Sequence, residues 1–177
     1  MFRRLEDFKS GLNNSMKIRT FFWLFFGYLT LGSLVLPSTV KSRLLKLFGA
    51  KIGTGVIIRR GVRVHMPWNL QIGDHCWIGE DAWFINHEKI TIGSNVCISQ
   101  AAIICSSCHD FRSPSLSYKH KPITIDDGAW VCLRATVLAG SHIGQNSVIS
   151  AGEVFTGNLP ANHLFVRGNS KPIEGMN

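Results

Sequence analysis

From Ile52 onward an aliphatic or aromatic side chain returns every six residues, and this period decides what the chain can become. The positions are Ile52, Ile58 and Val64; Ile72, Ile78 and Phe84; Ile92, Ile98 and Ile104; Ile125, Val131 and Val137; Ile143, Ile149 and Phe155. Six is neither the 3.6-residue period of a helix nor simply the two-residue period of a strand. Each six therefore supplies one short strand and one corner, and three sixes close a coil of about 18 residues. Small or β-branched residues tend to follow four positions later: Val56, Val62, Cys76, Ala82, Val96, Ala102, Cys108, Ala129, Ala135, Ser141 and Ser147. They predict a second inward set, to which Cys76 and Cys108 both belong.

The first members of the five sets are 20, 20, 33 and 18 residues apart. The surplus falls each time after the third hexad, so the extra residues share one corner. The expected fold is an all-β solenoid, a parallel β-helix of about five coils over residues 51–165, with one long loop at 110–124 and a tail at 166–177. A stacked coil buries its large residues only against its neighbours, so both ends need covers. Residues 1–50 read as a helical cover for the first coil.

A chain of 177 residues suits one domain, and 45% apolar against 17% charged residues excludes disorder as the main state. The net charge of +8 is unevenly placed: residues 1–60 hold 11 basic and 2 acidic side chains, leaving 8 and 9 for the rest. A basic end on a near-neutral body points to anionic lipid or another acidic surface, and away from nucleic acid. Phe21 to Leu36 is a run of sixteen mostly apolar residues, open to three readings. As a signal peptide it lacks an A-x-A cleavage pattern, and as a membrane span it falls short of about 20 residues. As a docking helix it is followed by Lys41, Arg43, Lys46 and Lys51 interleaved with Leu44, Leu45, Leu47 and Phe48, amphipathic enough to cap a core or lie on a membrane. Capping with peripheral membrane contact is the expectation. Five cysteines cannot all pair in one chain, and Cys105 with Cys108 makes a lone CxxC without a second pair at zinc-site spacing. A reducing compartment fits, hence the cytoplasm, peripheral on the inner face of the membrane.

Five segments carry a family likeness: FGAKIG (Phe48 to Gly53), PWNLQIGD (Pro67 to Asp74), SSCHD (Ser106 to Asp110), PITIDDGAWV (Pro122 to Val131) and VRGNSKPI (Val166 to Ile173). Over about Phe48 to Ile173 the chain resembles the hexapeptide-repeat acyltransferases, in particular those of colanic acid and other exopolysaccharides, and the maltose, galactoside and nodulation-factor acetyltransferases. The resemblance implies a left-handed helix, a homotrimer with sites between subunits, acetyl-CoA as co-substrate and no metal. It also implies an acceptor hydroxyl on a sugar of a surface polysaccharide or its lipid-linked precursor.

In that family a histidine at the position of His109 is the general base. His109 ends the third hexad of coil three, immediately before the long loop. An imidazole suits the task because its ordinary pKa lies near neutrality, so it can take the hydroxyl proton and surrender it to the departing thiolate. Asn86 and His87 occupy the corresponding corner one coil earlier, where relatives bind the acceptor; with Asp110 they are the expected acceptor residues. For the donor, the resemblance sets Trp130 beside the pantetheine arm, the backbone N–H near Leu133 at the thioester oxygen, and Ala151, Gly152 and Thr156 along the channel. The lysines that relatives carry near Thr156 and in the tail are missing or displaced, and Arg167 and Lys171 are their expected replacements. His142 repeats the hexad position of His109 without a loop; His65, His75, His120 and His163 read as surface or loop residues. Two other classes compete. His87, His109 and His142, one per coil, raise a zinc carbonic anhydrase, whose paired-histidine spacing is absent; a non-catalytic scaffold is the third reading.

Overall fold

The computed structural model describes residues 14–175 except 34, 111 and 114. From Lys51 the chain winds through three parallel sheets whose strands are two to four residues long. Sheet one collects Lys51–Ile52, Leu70–Ile72, Ile90–Ile92, Ile123–Ile125, His142–Ile143 and Asn158–Leu159. Sheet two collects Ile57–Ile58, Trp77–Ile78, Cys97–Ile98, Trp130–Val131, Val148–Ile149 and His163–Val166, onto which Asn169–Pro172 folds back antiparallel. Sheet three collects Arg63–Val64, Trp83–Ile85, Ile103–Cys105, Thr136–Leu138 and Val154–Phe155. The expected five coils are there, and a sixth begins and stops after its second strand.

The register is the one the hexads dictate: Ile52 stands on Ile72, Ile78 on Ile98 and Phe84 on Ile104. All fifteen hexad residues are buried. Of the small set, Cys76 is inside but Cys108 is exposed. The physical reason is that the lattice ends at Cys105, where the chain leaves for the loop. Ser106, fully buried, turns inward instead, donating to Glu88 O at 2.8 Å and accepting from Glu88 N at 3.0 Å. Corners take left-handed backbone: at Gly128 (φ +70) a Cβ would stand 2.3 Å from Asn146 Oδ1 of the next coil.

Two helices cover the open end, α1 (Asn14–Leu31) and α2 (Ser38–Leu47). The first coil has no predecessor, so its backbone groups need partners from elsewhere. Ser38 Oγ accepts from Ile58 N and donates to Ile58 O, both at 3.1 Å. Trp23 Nε1 donates to Val64 O at 2.6 Å, Lys41 Nζ to Arg59 O at 3.3 Å, and Gly61 N to Leu31 O at 3.0 Å. Burial, then the Arg59 charge, pulls the Lys41 amine below its usual pKa. Trp23, Gly27 and Leu31 form the buried stripe of α1; Ile18, Phe21, Phe22 and Phe25, spaced i, i+3, i+4, i+7, are exposed on the opposite side. Among the described residues no helix is long and apolar enough to cross a membrane.

Ile98 is fully buried in the middle of the stack. Ile98→Ala should lower unfolding free energy in urea by about 2–5 kcal/mol, through lost transfer energy and a cavity, and Ile98→Asp should not fold. A soluble Asp variant with wild-type melting would contradict the register.

Candidate active site

Between sheets three and one, the corner widens in three successive coils, because extra residues there leave the strand ladders intact. Buried polar side chains replace the ladder. Asn86, fully buried, accepts from Met66 N at 3.0 Å and donates to Met66 O at 2.6 Å. Asn69 Nδ2, at the end of the short turn Pro67–Asn69, donates to His87 O at 2.9 Å. The expectation that Asn86 meets an acceptor hydroxyl is therefore corrected: its amide points inward and holds the corner together.

The long loop returns on itself as a narrow ribbon. His109 and Tyr118 form an antiparallel bridge, Asp110 N donates to Ser117 O at 2.8 Å, and Lys119 N to Cys108 O at 2.8 Å. Asp110 Oδ1 accepts from Arg112 N at 2.9 Å, so its carboxylate helps shape the loop tip. Leu116 takes left-handed backbone (φ 49), and its carbonyl accepts from His109 Nδ1 at 2.7 Å. A carbonyl can only accept, so Nδ1 carries the proton and Nε2 is the basic nitrogen.

The corner assembles a row of rings. His65 and His87 have centroids 5.5 Å apart, His87 and His120 5.2 Å, His120 and Tyr118 4.7 Å, and Tyr118 and His109 4.7 Å. His87 Nδ1 also makes a short contact with Ser107 Oγ. His65 and His120, read from sequence as surface or loop residues, also belong to this row, each partly buried. Nothing in the sequence marks Tyr118 as a site residue. The only hint in the sequence was the number of aromatic and imidazole side chains close to the excursion. Burial first, then the neighbouring His65, His120 and His109, depresses the His87 pKa; burial and then His109 depresses that of His120; burial and then Arg63 depresses that of His65.

The expected donor residues lie elsewhere on the prism. Trp130 is about half exposed on the outer face of sheet two, pinned by its Nε1 donating to Ser99 Oγ at 2.8 Å. Leu133, Ala151 and Gly152 line the edge between sheets two and three; Gly152 N donates to Leu133 O at 2.9 Å, and the space over Gly152 (φ +74) is open. Thr156, exposed, follows Phe155 on the His109 edge. Glu153 binds the backbone N–H groups of Arg167 and Gly168 at 2.6 and 3.2 Å, and Lys171 is exposed on the last strand. The width of sheet three, about 10 Å at ~3.3 Å per residue, separates Leu133 and Gly152 from the His109 edge in one chain. His142 pairs with Asp126 at 2.7 Å on sheet one, outside the ring row.

No protein-family model matches the chain. A protein of Escherichia coli K12 provisionally named a colanic acid biosynthesis acetyltransferase is 39% identical over 126 residues, which span 71% of this chain and 69% of that one. The galactoside O-acetyltransferase of the same organism is 29% identical over 132 residues, 71% of this chain and 64% of its own. In fold, a hexapeptide-repeat acetyltransferase of Vibrio cholerae complexed with acetyl coenzyme A superposes with a TM-score of 0.84 at 20% identity, over 95% of this chain and 92% of that one. A galactoside acetyltransferase in complex with coenzyme A gives 0.83 at 20% identity, over 95% and 86%.

Depressed imidazole pKa values set a sign for stability. Below the ordinary histidine value of about 6.5 the unfolded chain binds more protons than the folded one, so stability is lost as pH falls from there through the lowered values. Urea titrations between pH 7.5 and 5 should show this loss, and His87→Gln should flatten it. A flat wild-type profile, or an unchanged slope in the variant, would contradict the lowered values of His65, His87 and His120.

Proposed function

The chain belongs to the hexapeptide-repeat acetyltransferase family, and from that premise we propose that it transfers acetyl from acetyl-CoA to a hydroxyl of a sugar in a surface polysaccharide or its lipid-linked precursor. The observation that carries the reading is the Leu116 carbonyl on His109 Nδ1, which leaves Nε2 as the base at a corner edged by rings. His109 takes the acceptor proton on Nε2 as the hydroxyl oxygen attacks the thioester carbon, then returns it to sulfur as the C–S bond breaks. Acetyl ester and free thiol result, with no acyl-enzyme. His87 and the rings beside it, with Asp110 at the loop, are the acceptor residues of this reading. Trp130, the Leu133 backbone N–H, Ala151, Gly152 and Thr156 receive the donor, and Arg167 and Lys171 its phosphates. Five free thiols and the use of acetyl-CoA support a cytoplasmic reaction.

A homotrimer completes the proposal. Outward residues of sheet one are polar throughout: Lys51, Gln71, Thr91, Thr124, His142 and Asn158. Those of sheet two, in the same register, are Ile57, Trp77, Cys97, Trp130, Val148 and Leu164; the row of sheet three begins with Arg63 and Trp83 beside α1 and continues past the helix with Ile103, Thr136 and Val154. An apolar face on sheet two and a different, mixed face on sheet three that carries Ile103 and Val154 support a head-to-tail ring on a three-sided prism. In it Trp130 of one copy stands across from the sheet whose edge carries His109 in the next.

His109→Ala should lower transfer by about 10²- to 10⁴-fold, with melting temperature and acetyl-CoA binding nearly unchanged, while Cys105→Ser and Cys108→Ala keep most activity. Equal activity of His109→Ala and wild type, or a kinetically competent acetyl-cysteine, would contradict the mechanism. Sedimentation should find a trimer; an active monomer would contradict the shared site.

A further inference from the structure

We propose that the cavity between α1 and the first two coils holds the hydrocarbon chain of an amphiphilic acceptor, so that the acceptor is a glycan carried on a lipid. The sugar end of this proposal rests on the acetylation reading; the hydrocarbon end does not. The cavity measures about 970 Å³, at the upper end for small-molecule sites. Its walls are mainly Trp23, Leu24 and Leu31 from the helix and Val62, Val64 and Trp83 from the coils. Among the described lining residues the charges of Arg63 and Asp81 are of opposite sign, and the Arg63 guanidinium lies over the Trp83 ring, 4.2 Å from its centroid, so the lining carries no net charge of one sign and suits a neutral chain.

Two continuities identify the occupant. The first is inward: His65 lines the cavity and is also the first imidazole of the row that ends at His109. A molecule with its tail beneath α1 has its polar end on the ring row, running towards the base. The second is outward: Leu24 lines the cavity yet is 52% exposed, and it borders the stripe of Ile18, Phe21, Phe22 and Phe25 on the far side of the same helix. Leu24 thus joins the cavity to the outer apolar stripe of α1. A chain seated in a bilayer can enter the cavity past Leu24.

The test uses the full chain without acetyl donor. Dodecyl β-maltoside below its micelle-forming concentration, with bromine at the chain end, should quench tryptophan fluorescence saturably, because Trp23 and Trp83 line the cavity, whereas maltose should not bind in calorimetry. Leu24→Asp, at a half-exposed position and checked for fold by circular dichroism, should weaken the detergent about tenfold or more. Phe25→Asp, on the outer stripe, should leave its affinity unchanged. No saturable quenching, equal affinity in Leu24→Asp, or loss in Phe25→Asp alone would overturn the cavity assignment. Alkyl glycosides of an acetylated sugar should show KM falling as the chain lengthens; a KM equal to that of the methyl glycoside would overturn the inference and leave sugar acetylation standing. Detergent binding with no glycoside acetylated would support the cavity and overturn the acetylation reading instead.

Discussion

Everything in this molecule depends on hydrogen bonds passed from coil to coil. Strands of two to four residues are too short to hold together alone, and each acquires its partners only from the coil above and the coil below. Trp77 N donates to Val96 O at 2.9 Å, and Cys97 N to Ala129 O at 3.0 Å, one step along the stack. Such a ladder must end somewhere. At the first coil it ends on Ser38, Trp23, Lys41 and the Leu31 carbonyl, which explains why a helical segment precedes the repeats and why that segment buries a lysine.

The same ladder confines where the chain can carry extra residues. An insertion within a strand would break two inter-coil pairings, whereas one at a corner breaks none. Where the corner between sheets three and one widens, Asn86, Asn69 and Ser106 take over the bonding of backbone that has left the ladder. Leaving the Met66 N–H buried and unpaired would cost about 1–3 kcal/mol, so the polar core beneath the site is structural. What it supports is a loop whose Leu116 carbonyl holds Nδ1 of His109 and so chooses its tautomer.

The hexad lattice was legible in the sequence because sheet geometry fixes which side chains point inward; Ile52 through Phe155 all landed inside. The counting fails where the chain leaves the lattice. Cys108 kept its place in the arithmetic but lost it in space, because Ser106 had already turned inward. Asn86 was recognisable as a corner residue, yet nothing in one sequence says whether a corner amide faces a ligand or the backbone of the preceding coil. His120 and Tyr118 lie within the excursion, where no period gives a register. His65 stands one residue past a buried hexad position, and only the fold reveals that His87 lies beside it.

The central claim is that Nε2 of His109 moves the proton, and chemical rescue addresses it most directly. In a His109→Gly variant that still folds and binds acetyl-CoA, added imidazole should restore acetyl transfer to a sugar acceptor, in proportion to the unprotonated form and to a plateau. A variant that transfers acetyl as fast as wild type without imidazole, or one that stays inactive at every imidazole concentration while Cys105→Ser or Cys108→Ala abolishes turnover, would contradict the account.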